Sequence, residues 1–477
     1  MSLTRTECHE KAAQRLRDST ATRAAYEAIC GMSMVYAYGD QWSRLSHGTR
    51  GGQSLKQLRP VIDPDRRDVR VAINEIRPRI EQANSWMEPQ KLEFDVRSAS
   101  PATNDRIAAQ VGQKRLEVFC RSAKALKKQQ ARVRWVTVLG SAVVRRTMAS
   151  RGKTVVLRGP DGEPSQRKNG SLRTIRTFQH DWQVCPAYEF VRDPAANSID
   201  FEGEDCIGHE KPVMADYIVR QFGPSALPKP VTATIGQYMS MQSFIYRATG
   251  QSLGARPSDS KAKGVLLSEW WFRDPDSEAD NDWPWWMLAY RDAYGEKPGD
   301  RELKVLEFGP NPYQDLPLHH YVYDAPPGHA WGGGIPQQVI AQQDLTNLAW
   351  TGILRVLLLH SNGPAFIRDG SIKGSIQELM AKRYTKPVIV KSQAKDFPPM
   401  KYLDHRPLDP VAATIIQKSH GLMDDALNQS PIQRGITSPR GESGQAVGLK
   451  KEAADQPITT RARRDALTTN ELLTGSL

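Results

Sequence analysis

Apolar residues recur at helical spacing in the last third of the chain. From Gln337 to about His360, Val339, Ile340, Leu345, Leu348, Ile353, Leu354, Leu357 and Leu358 are separated by Gln342, Gln343, Asp344 and Asn347, which predicts one long helix. About 24 residues rising 1.5 Å each make a rod of roughly 36 Å. Gly332-Gly333-Gly334-Ile335-Pro336 precedes it and reads as flexible punctuation followed by a proline suited to a first helical turn. A basic, proline-punctuated insert covers Asn362 to Pro407, and a second helix is expected from Asp409 or Pro410 to about Asn428. Pro431 to Gly444 reads as a glycine-rich loop leading into a third helix that begins near Gln445 and runs to about Leu473.

Upstream, a helix rich in Ala and Arg is expected from about Thr6 to Tyr38, stopped by Gly39. Another should begin near Asn74 or Arg77, and a third should span about Thr103 to Gln130. Val133 to Val144, rich in β-branched and apolar residues, either continues that helix into the core or begins a strand. From Lys153 to about Leu306 the pattern changes to short segments: Thr154 to Leu157, Gln183 to Cys185, Val265 to Leu267 and Trp286 to Tyr290. Asp161-Gly162, Asn169-Gly170, Asp193-Pro194, Asp274-Pro275 and Pro298-Gly299 supply turns between them. Short helices are expected near Lys211 to Phe222 and Ile235 to Tyr246, and no internal repeat of fixed period is visible. The reading is an α+β chain with helical ends and a strand-rich middle.

Composition narrows the partners. At 477 residues the chain is long enough for two or more cores. A net charge of +12 and an isoelectric point near 9.4 favour a polyanionic partner. Arg121, Lys124, Lys127, Lys128, Arg132 and Arg134 form a basic run without an acid, read either as a solvated helix face or as a contact to nucleic acid or to an acidic neighbouring subunit. The five cysteines, Cys8, Cys30, Cys120, Cys185 and Cys206, are odd in number and widely spaced, which indicates neither a disulfide framework nor a CxxC metal site. They read as reduced thiols of a protein made in a cytoplasm. No signal-peptide core follows Met1, and no apolar stretch approaches the length of a membrane helix; Trp135 to Val144 and Ile353 to Leu359 are too short.

Candidate chemistry is thin. Walker-type loop, His-Glu-x-x-His and Gly-x-Ser-x-Gly patterns are absent from the sequence, so no catalytic residue, metal or cofactor is expected. The adjacent His319 and His320 would point to opposite faces of a strand. Asp274, Asp276, Glu278, Asp280 and Asp282 alternate as in a calcium loop, but Ala279 stands where the sharp turn needs glycine and Trp285 where the closing Glu belongs. Trp270, Trp271, Trp283, Trp285 and Trp286 read as core and interface anchors rather than as base-stacking platforms.

The order helix, small insert, helix, glycine-rich loop and helix resembles the stem, clip, second stem helix and tunnel loop of phage portal proteins, the head-to-tail connectors, and most of all those of short-tailed phages. Tyr36-Ala37-Tyr38-Gly39-Asp40-Gln41-Trp42 is similar to that family's aromatic-x-x-Gly-Asp-Gln-Trp element. Val71-Ala72-Ile73-Asn74-Glu75-Ile76-Arg77-Pro78, then Asn84 and Phe94-Asp95-Val96, resemble its next block. Cys185-Pro186-Ala187-Tyr188-Glu189-Phe190-Val191-Arg192-Asp193-Pro194 resembles its Pro-x-x-aromatic/Val-x-x-Asp-Pro strand and turn, and Ser443-Gly444-Gln445-Ala446-Val447 its entry to the helix after the tunnel loop.

The resemblance implies a wing or body over residues 1–331, with N-terminal helices in 1–150 and the strand-rich part in 151–331. It further implies a first stem helix (332–361), a small α/β clip (362–407), a second stem helix (408–430), a tunnel loop (431–444) and a C-terminal helix (445–477). Gln433, Arg434, Arg440 and Glu442 would face DNA from the tunnel loop. In the clip, Arg368, Lys373, Lys382, Arg383, Lys386 and Lys391 would meet the packaging motor, an adaptor or DNA. The implied partners are a homo-oligomeric ring, a dodecamer in that family, double-stranded DNA bound without sequence preference, the terminase large subunit, a head-tail adaptor, and the major capsid and scaffolding proteins. The implied place is the portal vertex of a virion. Family members usually continue into crown helices, whereas this sequence ends at Leu477. The alternative from a different class is a nuclease-like enzyme whose carboxylates converge only in the fold.

Overall fold

The computed structural model describes residues 3–38, 41–50, 53–60, 71–89, 95–98, 100–156, 174–227, 231, 233–235, 262–274, 282–294, 302–313, 315–361, 365–368, 388–390, 400–402, 410–427, 429, 456, 460–469 and 472–473. It describes the backbone alone in 43–50, 53–60, 148–156, 174–180, 358–361 and the strands of 365–402, and at 410 and 412. The chain is an α+β mixture of helices and mainly antiparallel sheets.

Helix α1 (Arg5–Tyr38) opens on a reciprocal cap: Glu7 N–H donates to the Thr4 hydroxyl, and Thr4 N–H donates back to the Glu7 carboxylate. Asn74 Oδ1 accepts from the N–H groups of Ile76 and Arg77 and so starts α2 (Ile76–Met87). The single helix expected over Thr103–Gln130 is in fact two, α3 (Thr103–Ser122) and α4 (Ala125–Leu139). Lys124 sits between them at φ 54°, a left-handed turn that lets both Ala123 and Ala125 face the core. Val133 to Val144 does both things its composition allowed: α4 ends at Gly140, φ 89°, and β3 (Ser141–Val156) begins at once.

A three-stranded sheet runs β10 (Leu318–Val322), β3, β4 (Thr174–Pro186). A five-stranded antiparallel sheet follows the order β5 (Phe190–Val191), β6 (Cys206–Met214), β7 (Gly264–Phe272), β8 (Trp285–Arg291), β9 (Lys304–Pro310). Alternation along β7 sends Trp270 and Trp271 to opposite faces. Trp270, Phe272 and Met287 pack against Cys8 and Ala12 of α1, whereas Trp271, Phe190 and Ile207 pack against Val143, Cys185 and Leu318 of the smaller sheet. The five-stranded sheet therefore lies between α1 and the three-stranded sheet, and Trp270, Trp271 and Trp283 are core anchors as expected. The helix expected from Lys211 starts only at Ala215 (α5, Ala215–Phe222), because Lys211 to Met214 are paired with Leu267 to Gly264 as the end of β6. Apart from Ile235, the helix expected to Tyr246 lies outside the described residues.

A hairpin joins β1 (Ser43–Arg50) to β2 (Gln53–Pro60). The two long helices expected in the last third are α6 (Ile335–Ser361) and α7 (Pro410–Ala426), close to the expected bounds and packed on each other. Between them, the insert contributes β11 (Ala365–Arg368), parallel to β12 (Val388–Val390) and antiparallel to β13 (Met400–Tyr402). Residues 460–469 are helical and dock on the body through Arg132–Asp465 and Arg461 to the Tyr323 hydroxyl, with Leu472 and Leu473 in the main core.

Candidate functional site

The root of α6 is where two of the sequence motifs meet, Tyr36 to Trp42 and Val71 to Pro78. Its entry, Gly332 to Gly334, is a close crossing rather than a flexible joint. A Cβ on Gly332 or Gly334 would fall inside van der Waals contact with the backbone of Gly140 or Val138, respectively. Gly332 N–H donates to Ser141 Oγ (2.9 Å) and Gly333 N–H to the Asp324 carbonyl (2.7 Å). The glycines are there to let two backbones touch.

Beyond the crossing, Gln343, Asn347 and Thr351 stand one turn apart on the body side of α6, and all three are buried. The extended segment 71–75 lies against them. Val71 N–H donates to Thr351 Oγ1 (3.1 Å), Ile73 N–H to Asn347 Oδ1 (3.1 Å) and Glu75 N–H to Gln343 Oε1 (3.0 Å), while Gln343 Nε2 donates to the Ile73 carbonyl (2.7 Å). The two periods nearly match, since four helical residues rise roughly 6.0 Å and two extended residues roughly 6.6 Å. Helix side chains thus stand where the backbone of a neighbouring strand would. Asn347 Nδ2 donates to Gln41 Oε1 (2.7 Å), Gln41 Nε2 to the Tyr36 carbonyl (3.1 Å), Trp42 Nε1 to the Val71 carbonyl (3.2 Å) and Asn74 Nδ2 to the Ala37 carbonyl (3.0 Å). The Tyr36 hydroxyl bonds the Asp344 carboxylate.

A cation fastens the second helix. Arg79 is 2% exposed; its Nε and Nη2 donate to Asp424 of α7 (3.1 and 2.7 Å), and its Nη1 donates to the carbonyl and carboxylate of Glu75. Gln429 Nε2 donates to the Arg79 carbonyl (3.3 Å). The outer faces contrast with this root. On α6, Ala341, Leu345, Leu348, Gly352 and Arg355 are exposed at alternating spacings of four and three, with Leu348 58% open. On α7, Val411 and Leu422 are exposed by 55% and 53%. Two buried-root helices therefore present apolar seams outward.

Gln433, Arg434, Arg440 and Glu442 lie outside the described residues, as do Lys373, Lys382, Arg383, Lys386 and Lys391. Arg368 ends β11, where the backbone alone is described. The acidic string is described only at Asp274 and Asp282, joined by Asp274 N–H to the Asp282 carbonyl. The basic run divides. Lys128 pairs with Asp181, Arg132 with Asp465 (2.9 Å) and Arg134 with Glu88 (2.9 Å); of the three only Arg132 is buried, and Arg134 stays exposed while paired. Arg121, Lys124 and Lys127 are exposed.

Buried histidines serve the packing. Burial, with Arg146 beside His319 and Arg192 beside His320, pushes both rings down to about 3 and keeps them neutral on successive positions of β10. Cys185, Glu189 and His209 come within 4.8 Å of one another, a donor set of the kind that holds zinc. Arg145 Nη1 approaches His209 Nδ1 (3.4 Å), and the other ring nitrogen lies 3.0 Å from the Glu189 carboxylate. A guanidinium at Nδ1 and a carboxylate at Nε2 place the ring proton on Nε2, so neither nitrogen offers a cation a free lone pair. Burial also pushes the Cys185 thiol up to about 12.

Sequence reasoning missed the ladder on α6, whose signal was a buried-type spacing of polar residues at i, i+4 and i+8. It missed as well the clamps of Arg23 and Arg291 on Glu210, and of Arg192 on Glu204. In comparisons with known proteins, the chain matches no family model and no curated protein.

Proposed function

We propose that this chain is the subunit of a phage portal, a ring at one capsid vertex through which double-stranded DNA is packaged and later ejected. The observation that carries the reading is the pair α6 and α7. Its root is fastened by the glycine crossing, the polar ladder and Arg79, while its outer faces leave Leu345, Leu348, Leu357, Val411 and Leu422 exposed. A rigid root with open apolar seams suits a helix pair that is covered by its neighbours in a ring, through heterologous contacts repeated about one axis.

The small sheet β11–β13 stands in the insert where the resemblance puts the clip, and the helical residues 460–469 follow the segment it assigns to the tunnel loop. In this reading Gln433, Arg434, Arg440 and Glu442 face DNA, and the clip cations meet the terminase, an adaptor or DNA. The work is geometric and uses neither a catalytic residue nor a cofactor. The nuclease-like alternative needs carboxylates gathered in an open cleft; Asp193 and Asp205 do come together, but across Arg15, whose guanidinium pairs with both. The test is to replace Leu345 and Leu348 by Glu. The double variant should keep its helical circular dichroism and sediment as a monomer where the unaltered chain assembles. Unchanged assembly would remove the seam, and with it the reading, from consideration.

A further inference from the structure

Helix α3 is held to the body by one face only. Leu116 is its one buried side chain, Phe119 meets Trp182 edge-on (5.3 Å between ring centroids), and Gln113 Oε1 accepts from Val96 N–H (3.0 Å). The opposite face carries Ile107, Val111 and Val118, exposed by 54%, 45% and 63%. At about 100° per residue these three share one side of the helix within roughly 40°.

Cations border that stripe. Lys114 and Arg121 lie along one edge and Arg115 along the other, with Lys124 and Lys127 just beyond the end of α3. All five are exposed, and none has an ion-pair partner among the described residues, whereas Lys128, Arg132 and Arg134 each have one. Helix-dipole compensation accounts for Arg121 in the last turn but not for Lys114 and Arg115 nearer the middle. Glu117 lies further round the helix, where Gln113 Nε2 donates to it (3.4 Å).

We propose that this face docks an acidic amphipathic helix of a partner protein, with apolar side chains set on the stripe and Asp or Glu along both borders. Charge complementarity selects the partner: Lys114, Arg115 and Arg121 border an apolar centre, and the one acid nearby, Glu117, lies outside that border. Phosphate alone has no use for the centre, and three β-branched side chains without Leu, Phe or Trp form too small an apolar face for a membrane surface. The inference stands independently of the portal reading.

The test is fluorescence anisotropy of the full chain with a labelled helical peptide of about 20 residues, carrying Leu at i, i+4 and i+11 and Glu on both flanks. Control peptides replace every Glu by Lys, or every Leu by Gln. The chain should bind the first peptide at least about tenfold more tightly than either control. Both I107Q/V111Q/V118Q and K114E/R115E/R121E should lose that binding while keeping the circular dichroism of the unaltered chain. If a triple variant misfolds, V118Q and R115E alone should each weaken binding. No binding, or equal binding of all peptides, overturns the proposal. So does tighter, variant-sensitive binding of anionic phospholipid vesicles or of duplex DNA. A change in oligomeric mass of the variants would assign the face to a second copy and overturn it equally.

Discussion

Glu210 shows how much of this protein is held by single charges. Its carboxylate is fully buried on β6, accepting from Arg291 Nε and Nη2 (2.7 and 2.9 Å) and from Arg23 Nη1 (2.5 Å). Burial alone would raise it, but Arg291 and Arg23 outweigh burial and hold it down to about 2. Glu210→Gln should therefore lower unfolding free energy by about 3–5 kcal/mol, because two guanidinium groups lose their counter-charge. Urea denaturation checks this, and a loss under about 1 kcal/mol would contradict the clamp. The stability contributed by Glu210 is present above the ordinary carboxyl range and is lost as pH falls from there toward about 2. The neutral His319 and His320 act in the same direction over a higher window. The unfolded chain takes up their protons below the ordinary histidine value of 6.5, while the folded chain resists down to about 3. The melting temperature of the unaltered chain should thus fall steadily from about pH 6.5 downward, and E210Q should flatten only the lower part of that slope. None of these charges was legible beforehand, since a lone Glu or Arg reads as surface until the fold brings partners 81 or 187 residues away against it. The start of a helix near Asn74 was legible, although the cap that Asn74 supplies was not singled out.

Between elements, the decisive contact is the ladder from 71–75 to α6. Asn347→Leu keeps the volume but strips acceptors or donors from Ile73, Gln343 and Gln41 at once. At about 1–3 kcal/mol for each buried group left unsatisfied, the variant should lose at least about 3 kcal/mol. The Ile73 amide should also exchange with deuterium faster than the other amides of its segment. A variant as stable as the parent, with Ile73 still protected, would show that apolar packing alone holds the root of α6. Hydrophobic periodicity located α6 within two residues at its start, because the helix has apolar residues on both its inner and its outer face. It said nothing of which polar residues turn inward, and Gln343 and Asn347 read as spacers between apolar positions. The break at Lys124 was equally silent, with neither Gly nor Pro to mark it; tertiary packing of Ala123 and Ala125 decided it. The three glycines before α6 were noticed, but their crossing partner Gly140 lies nearly two hundred residues upstream.

For the molecule as a whole, the α+β class and the succession of helical ends around a strand-rich middle were readable from pattern. The layering was not, since α1 serves two cores in turn and only the fold places Cys8 beside Trp270 and Tyr36 beside α6. The same holds for the seams: sequence marks Leu345, Leu348, Val411 and Leu422 as apolar, and the structure turns them outward. A lone chain leaves those seams in water, and the proposed closed ring would cover them. The most direct test is native mass measurement of the purified chain at micromolar concentration, with end-on electron images of the same sample. The account predicts a single closed assembly whose mass is a whole multiple of the chain, a dodecamer in line with the family resemblance, with a hole on its axis wide enough for duplex DNA. A stable monomer under those conditions, or an assembly without an axial hole, would contradict it.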